Sequence, residues 1–326
     1  MSGYGLDLDL DLDLALDRVR TDLHPQGHPI RRELSLRIAT FQHDGRRQVG
    51  ALTPDGHALQ AFTGLDAGLG ALPLIELAAA GQPLPLPDGP VLPLAQVRLE
   101  APLPRPLRNL WCVGRNYHAH ARELRETVFR SSPVKTDEWP IVFSKVPETV
   151  VGPDDTVYLP GEAISSQIDY EAELAVVIGR GGRNITRAEA LSHVFGWTIV
   201  NDVTARDVQM RHQQWDLGKS FDTFCPMGPW IVTADELDAT DTRVRCWVND
   251  ELRQDARTAD LIFDIPTLIE TISRGITLQP GDVIATGTPA GVGMGLTPPR
   301  WLQPGDLVRI EIDGIGTLKN RFAHFD

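Results

Sequence analysis

The sequence predicts an α+β protein rich in strands. Short apolar runs recur from Leu36 onward, turn signals separate them, and few stretches keep a helical period for long.

The chain opens with LDLDLDLDLALD, whose two-residue alternation would line one face of a strand with aspartates. Those like charges repel, and the polar, Pro/Gly-punctuated RTDLHPQGHPIRRE follows, so residues 1–34 are expected as an acidic, mobile tail. From Leu36, LRIATFQHDGRRQVGALTPDGHALQAF reads as three strands joined by turns at Asp44-Gly45 and Asp55-Gly56. We therefore expect a small N-terminal β-rich domain over residues 35–104. It ends in LPLPDGPVLPLAQVRLEAPLPRP, a Pro-rich surface connection to a larger domain over residues 105–326.

In that larger part ELAVVIG, FGWTIV, GPWIVT, VRCWVND, DVIATG and LVRIEID read as strands. Thr186 and Glu189 have capping-box spacing and predict a short helix; IPTLIETISRG predicts another, with Pro266 in its first turn and Gly275 ending it. Leu278-Gln279-Pro280-Gly281-Asp282 recurs as Leu302-Gln303-Pro304-Gly305-Asp306, each read as a Pro-Gly turn that launches a strand.

Of 326 residues, 42% are hydrophobic and 23% charged, the composition of a folded globular chain. The formal net charge of −13, without a long Lys/Arg cluster, argues against a nucleic-acid or anionic-membrane partner. Cys112, Cys225 and Cys246 are widely spaced and form no C-x-x-C pair, which fits a reducing compartment and no structural zinc. No apolar stretch approaches the roughly 20 residues needed to span a bilayer, so we expect a cytoplasmic protein.

The segment Asp169-Tyr170-Glu171-Ala172-Glu173-Leu174-Ala175-Val176-Val177-Ile178-Gly179 is the most informative. In a strand Glu171 and Glu173 share a face, and both faces beyond them are apolar. Two carboxylates at the mouth of a buried strand repel and are costly to desolvate, which a cation between them would resolve. A second apolar run, Phe195–Val200, ends in Asn201-Asp202 and supplies a third carboxylate. Glu171, Glu173 and Asp202 are hard oxygen ligands suited to Mg²⁺, Mn²⁺ or Ca²⁺. In GRNYHAHARE, His120 and Glu123 at i and i+3 could form a base and its orienting carboxylate. The same spacing suits a surface helix laced with salt bridges through Arg122, Arg125 and Glu126. Arg206 could bind a substrate carboxylate through its planar fork, and Lys219 could stabilise an enolate; either could equally be a surface cation.

Taken together, GRNYHAHARE, DYEAELAVVIG, NDVTARDVQ, GKSFDTFCPMGP, VNDELRQ and ATGTPAGVG resemble the fumarylacetoacetate hydrolase family over roughly residues 105 to 326. The resemblance implies a mixed β-sheet roll, a small N-terminal β-rich domain, a homodimer, and a divalent ion, usually Mg²⁺ or Mn²⁺, on Glu171, Glu173 and Asp202. It implies a lid carrying the His120–Glu123 dyad, a catalytic Lys219, and substrate contacts from Arg206, Gln209 and Thr288. The implied activity is metal-dependent hydrolysis of a C–C bond in an acylpyruvate-type (2,4-dioxo) acid from aromatic or sugar-acid breakdown. The alternative is decarboxylation, isomerisation or tautomerisation of a 2-oxo acid such as oxaloacetate at the same site. A different class, a non-catalytic small-acid-binding protein, would leave the dyad and Lys219 without a task.

Overall fold

Turn chemistry builds the first hairpin: β1 (Arg37–His43) ends at Asp44-Gly45, with φ of 49° and 71°, and β2 (Arg46–Leu52) returns antiparallel. Positive φ at both central residues gives the twist that suits a two-residue hairpin. This computed structural model describes residues 35–127, 139–211 and 214–325; the segment 1–34, expected as a tail, lies outside them. After β3 (Ala58–Ala61) comes α1 (Leu72–Ala79), which buries Leu72, Leu74 and Ile75 and was not anticipated. The Pro-rich stretch is more than a connection. It holds β4 (Val91–Pro93) and β5 (Arg98–Glu100); β4 is a sheet edge, where the missing N–H of proline is tolerated.

The chain continues through β6 (Leu110–Gly114), α2 (His118–Thr127), β7 (Ile141–Lys145), β8 (Val150–Val151), β9 (Thr156–Leu159), β10 (Ile168–Asp169) and β11 (Ala172–Ile178). Next are β12 (Val194–Asn201), β13 (Thr204–Ala205), two single-turn helices α3 (Arg206–Gln209) and α4 (Asp216–Lys219), β14 (Cys225–Thr233), β15 (Arg243–Val248) and β16 (Glu251–Arg257). The chain closes with α5 (Ile265–Ser273), β17 (Val283–Ala285), β18 (Leu307–Ile312) and β19 (Gly316–His324).

The large mixed sheet runs β4-β3-β2-β1-β14-β12-β11-β17-β6-β7, with β5 on β1 and β8 on β14; a second sheet runs β16-β15-β18-β19-β9. β1 pairs with β14 through Arg37↔Val232 and Ile38↔Ile231, so the strands before residue 104 extend the same sheet as the rest. The boundary expected at 104/105 falls inside one compact unit, Ser35–Asp326. β11 is buried along its whole length. Leu174, Val176 and Ile178 join the core of Val244, Ile310 and Phe322, while Ala175 and Val177 join the other, with Ile38, Leu74 and Leu110. The three cysteines are buried and free.

The Thr186 hydroxyl does bond Glu189, at 2.7 Å, but a turn and the 3-10 segment Ala190–His193 follow where a helix was expected. His193 O accepts the Gly179 N–H at 2.8 Å and β12 starts at once, so sheet pairing leaves no room for helix propagation. α5 matches expectation: the Asp264 side chain caps it, Pro266 sits in its first turn, and Gly275 follows at φ 84°. The two Leu-Gln-Pro-Gly-Asp turns are built alike. Gln279 N and Gln303 N each donate 2.8 Å bonds to Asp282 and Asp306, ahead of β17 and β18. Among the described residues, no helix is long and apolar enough to cross a membrane.

Candidate active site

Strand register assembles the acids. Ala172 pairs with Asn201, so Glu171 and Asp202, one residue outside that pair, are neighbours: Asp202 N donates to Glu171 O at 2.9 Å, and Glu171 N to Asn201 Oδ1 at 3.0 Å. Glu173 follows inside β11. The ligand atoms of Glu171, Glu173 and Asp202 lie within 4.8 Å of one another, and all three residues are buried.

Cations surround this cradle. Lys219 Nζ donates to Glu171 Oε2 (2.7 Å) and Asp202 Oδ2 (2.6 Å). Arg206 donates from Nε to Asp169 (2.9 Å), from one terminal nitrogen to Glu171 (2.7 Å), and from the other to Gln209 Oε1 (3.2 Å). Lys145 Nζ lies 2.7 Å from Asp202 Oδ1 and also donates to the backbone oxygens of Val203 and Lys219. Burial pushes the Glu171 carboxyl up, but Lys219 and Arg206 outweigh it and hold the group well below the usual range. Glu173 is the reverse case: burial, then Asp202, then Glu171 push it well above. For Lys219, burial opposes the charge, and Asp202 and Glu171 more than restore it.

The donor set fits a divalent ion. Fully ionised, the four buried carboxylates of Asp169, Glu171, Glu173 and Asp202 would face three cations among the described residues, Lys145, Arg206 and Lys219, one negative charge in excess. Glu173 is the one that meets no cation within ion-pair distance among the described residues; it accepts the Gly287 N–H at 2.8 Å, and without an ion the excess pushes its carboxyl towards the neutral form. A divalent ion there would cancel the excess and leave one positive charge for an anionic substrate.

α2 closes the other side. His120 Nδ1 lies 3.0 Å from Glu123 Oε2, and Glu123 Oε1 accepts the Gly291 N–H at 3.0 Å. His120 is 2% exposed, so the surface-helix alternative does not hold for it. Thr288 Oγ1 accepts from Gln254 Nε2 at 2.8 Å, which leaves the hydroxyl hydrogen for another acceptor. Of the nine residues singled out in the sequence, His120, Glu171, Glu173, Arg206, Gln209, Lys219 and Thr288 line one cavity. Glu123 and Asp202 stand behind His120 and Lys219. Arg206 differs from expectation in one respect: its fork is already spent on Asp169 and Glu171, so it orients a metal-ligand candidate.

Residues 109–323 match the family described as fumarylacetoacetate (FAA) hydrolase C-terminal. The chain belongs to the fumarylacetoacetate hydrolase family. It is 51% identical over 231 residues to the oxaloacetate tautomerase YisK of Bacillus subtilis, covering 71% of this chain and 74% of that protein. The fumarylacetoacetate hydrolase of Exiguobacterium antarcticum has the same fold, with a TM-score of 0.76 and 40% identity over 89% of this chain and 100% of that one. A maleylpyruvate hydrolase of Sphingobium, solved with manganese(II) and pyruvate, is 33% identical, with a TM-score of 0.70 over 89% of this chain and 100% of that one. The mixed strand-rich architecture expected for this family is the one observed.

Sequence reasoning missed Lys145 and Asp169. Asp169 accepts from Arg206 and from the backbone N–H groups of Gly293 and Met294, tying the cradle to the loop beneath α2. Its position just ahead of Glu171-Ala172-Glu173 was a usable signal. For Lys145 the signal was a lysine closing the apolar run IVFSK, which becomes a fully buried strand end.

Proposed function

We propose that this protein is a metal-dependent enzyme that interconverts the keto and enol forms of oxaloacetate or a close 2-oxo dicarboxylate. The sequence weighed this as the alternative to C–C hydrolysis. What carries it over hydrolysis is the 51% identity over 231 residues to an oxaloacetate tautomerase, together with a cavity lined by acids, a buried histidine and a buried lysine.

Glu171, Glu173 and Asp202 would hold a divalent cation, Mg²⁺ or Mn²⁺, which when bound would supply Lewis-acid polarisation of the 2-oxo group. With Nδ1 engaged by Glu123, His120 has Nε2 to take a proton from the substrate C3. The C–H electron pair becomes the C2=C3 double bond, and the former carbonyl oxygen takes up charge and then a proton from water, while His120 gives the C3 proton back to water. Return of a proton to C3 from His120 completes the reverse direction. The Lys219 ammonium has three donors; two are committed to Glu171 and Asp202, and the third serves the enolate oxygen. Gln209, whose oxygen accepts from Arg206, offers its amide hydrogens to the substrate carboxylate, and Thr288 offers its hydroxyl.

A second reading, hydrolysis of an acylpyruvate, is supported by the likeness to the manganese-bound maleylpyruvate hydrolase. In that reaction the same dyad would activate water. Incubation with Mg²⁺ or Mn²⁺ and, separately, oxaloacetate, acetylpyruvate and fumarylpyruvate distinguishes the two, with enol absorbance and products followed together. We expect faster keto–enol exchange of oxaloacetate without pyruvate release from the diketo acids. Stoichiometric pyruvate from a diketo acid would make hydrolysis the activity. No turnover of any of the three would favour a binding protein.

A further inference from the structure

We propose that Arg115 is a specificity-determining residue that receives the carboxylate of the substrate distal to its 2-oxo acid end, so that the site selects dicarboxylates over monocarboxylic 2-oxo acids. This rests on the functional reading above and deepens it.

Among the described residues, the arginines and lysine that line the cavity are Arg115, Arg206 and Lys219. Arg206 and Lys219 are bonded to the acids of the cradle, which places them at the end that holds the ion and the 2-oxo acid. Arg115 is reached from there along an aromatic wall. Lys219 Nζ lies 4.8 Å from the Phe143 ring centre, and Phe143 meets Trp215 edge-on at 5.3 Å. The Arg115 guanidinium stands 5.8 Å from the Trp215 ring. A four-carbon dicarboxylate has its two charged ends separated by a short apolar stretch, which is the pattern of this wall.

The backbone fixes the direction in which the Arg115 side chain leaves the main chain. It sits at φ 54°, a region an arginine enters at a cost of about 1 kcal/mol and keeps only where neighbours over-determine it. β6 leads into it, and Asn116 follows with three side-chain bonds, to Phe263 N (2.8 Å), Phe263 O (3.0 Å) and Thr286 O (2.8 Å). Gly114 supplies the remaining constraint: a Cβ there would run into the Trp215 ring, so its absence seats the ring beside Arg115. A planar guanidinium held in this way suits two-point capture of a carboxylate.

The test compares wild type, Arg115→Gln and Arg115→Lys, all loaded with Mn²⁺. Keto–enol exchange of oxaloacetate and deuterium uptake at C3 of pyruvate give kcat/KM for a dicarboxylate and a monocarboxylate. In Arg115→Gln the ratio of the two should fall about 10- to 100-fold, the size of a lost charge-assisted hydrogen bond, mainly through KM for oxaloacetate. Arg115→Lys, which keeps the charge and loses the fork, should recover part of it. An unchanged ratio, or equal losses on both substrates, overturns the proposal. Calorimetric titration of the non-reacting acids malate and lactate reads the same selectivity without turnover. If wild-type protein did not accelerate oxaloacetate exchange, the functional reading would fail, while loss of the malate preference in Arg115→Gln would still support Arg115 and its retention would still overturn it.

Discussion

The carboxylate cradle and the lid helix α2 face each other across the cavity but are secured in different ways. In the cradle, Glu171, Asp202 and Asp169 are each fixed by two or more charged or backbone partners, and Lys145 pairs with the Asp202 carboxylate while donating to two carbonyls. α2 is docked through Glu123 on the Gly291 N–H and against Gly295, where a Cβ would collide with the Glu123 carboxyl. The contrast separates two tasks. Strand register and buried ion pairs preorganise the proposed ion site, while His120, the group proposed to move protons, rides on an element seated against glycines.

Breaking the cradle should have the largest effect. The double variant Glu171→Ala, Glu173→Ala should remain folded by circular dichroism, lose bound metal by elemental analysis, and lose activity by about 1000-fold or more, the several kcal/mol that a Lewis acid supplies. Breaking the lid should leave the metal in place. We expect His120→Ala to lower kcat by about 100- to 10,000-fold with metal affinity unchanged in calorimetry; Glu123→Gln should cost less because the histidine stays. Parallel losses of metal and kcat in His120→Ala would erase the proposed division of labour.

Lys145→Met probes what supports the cradle. It leaves the Asp202 charge buried without this partner, so unfolding free energy should fall by about 3–5 kcal/mol in denaturant titration. Metal affinity should fall about 10- to 100-fold, as for loss of a group that orients a ligand. Thr288→Val should be mildest, raising KM about 5- to 10-fold through one lost hydrogen bond, with kcat and metal content retained.

The same contrast explains what could be read from the sequence. Glu171, Glu173 and Asp202 were legible because strand periodicity and buried flanks are local signals, and pairing of β11 with β12 then brought them together. His120 and Glu123 were ambiguous from spacing, since the i,i+3 pattern is shared by exposed helices and only burial of His120 separates the cases. The partners of Lys145 and the commitments of Arg206 were out of reach, because they are distant in sequence. The pairing of the N-terminal strands with the large sheet was out of reach for the same reason. Pairing of Arg37 with Val232 crosses almost two hundred residues, and the Pro-rich segment looked like a connection because its strands are short and one is an edge.

The most direct measurement is decay of the enol absorbance of freshly dissolved oxaloacetate with metal-loaded protein and with the same protein after complete chelation. The account predicts acceleration with Mg²⁺ or Mn²⁺, loss on chelation, and recovery when the ion is restored. Decay at the uncatalysed rate with the ion bound, or full acceleration after the ion is removed, would contradict it.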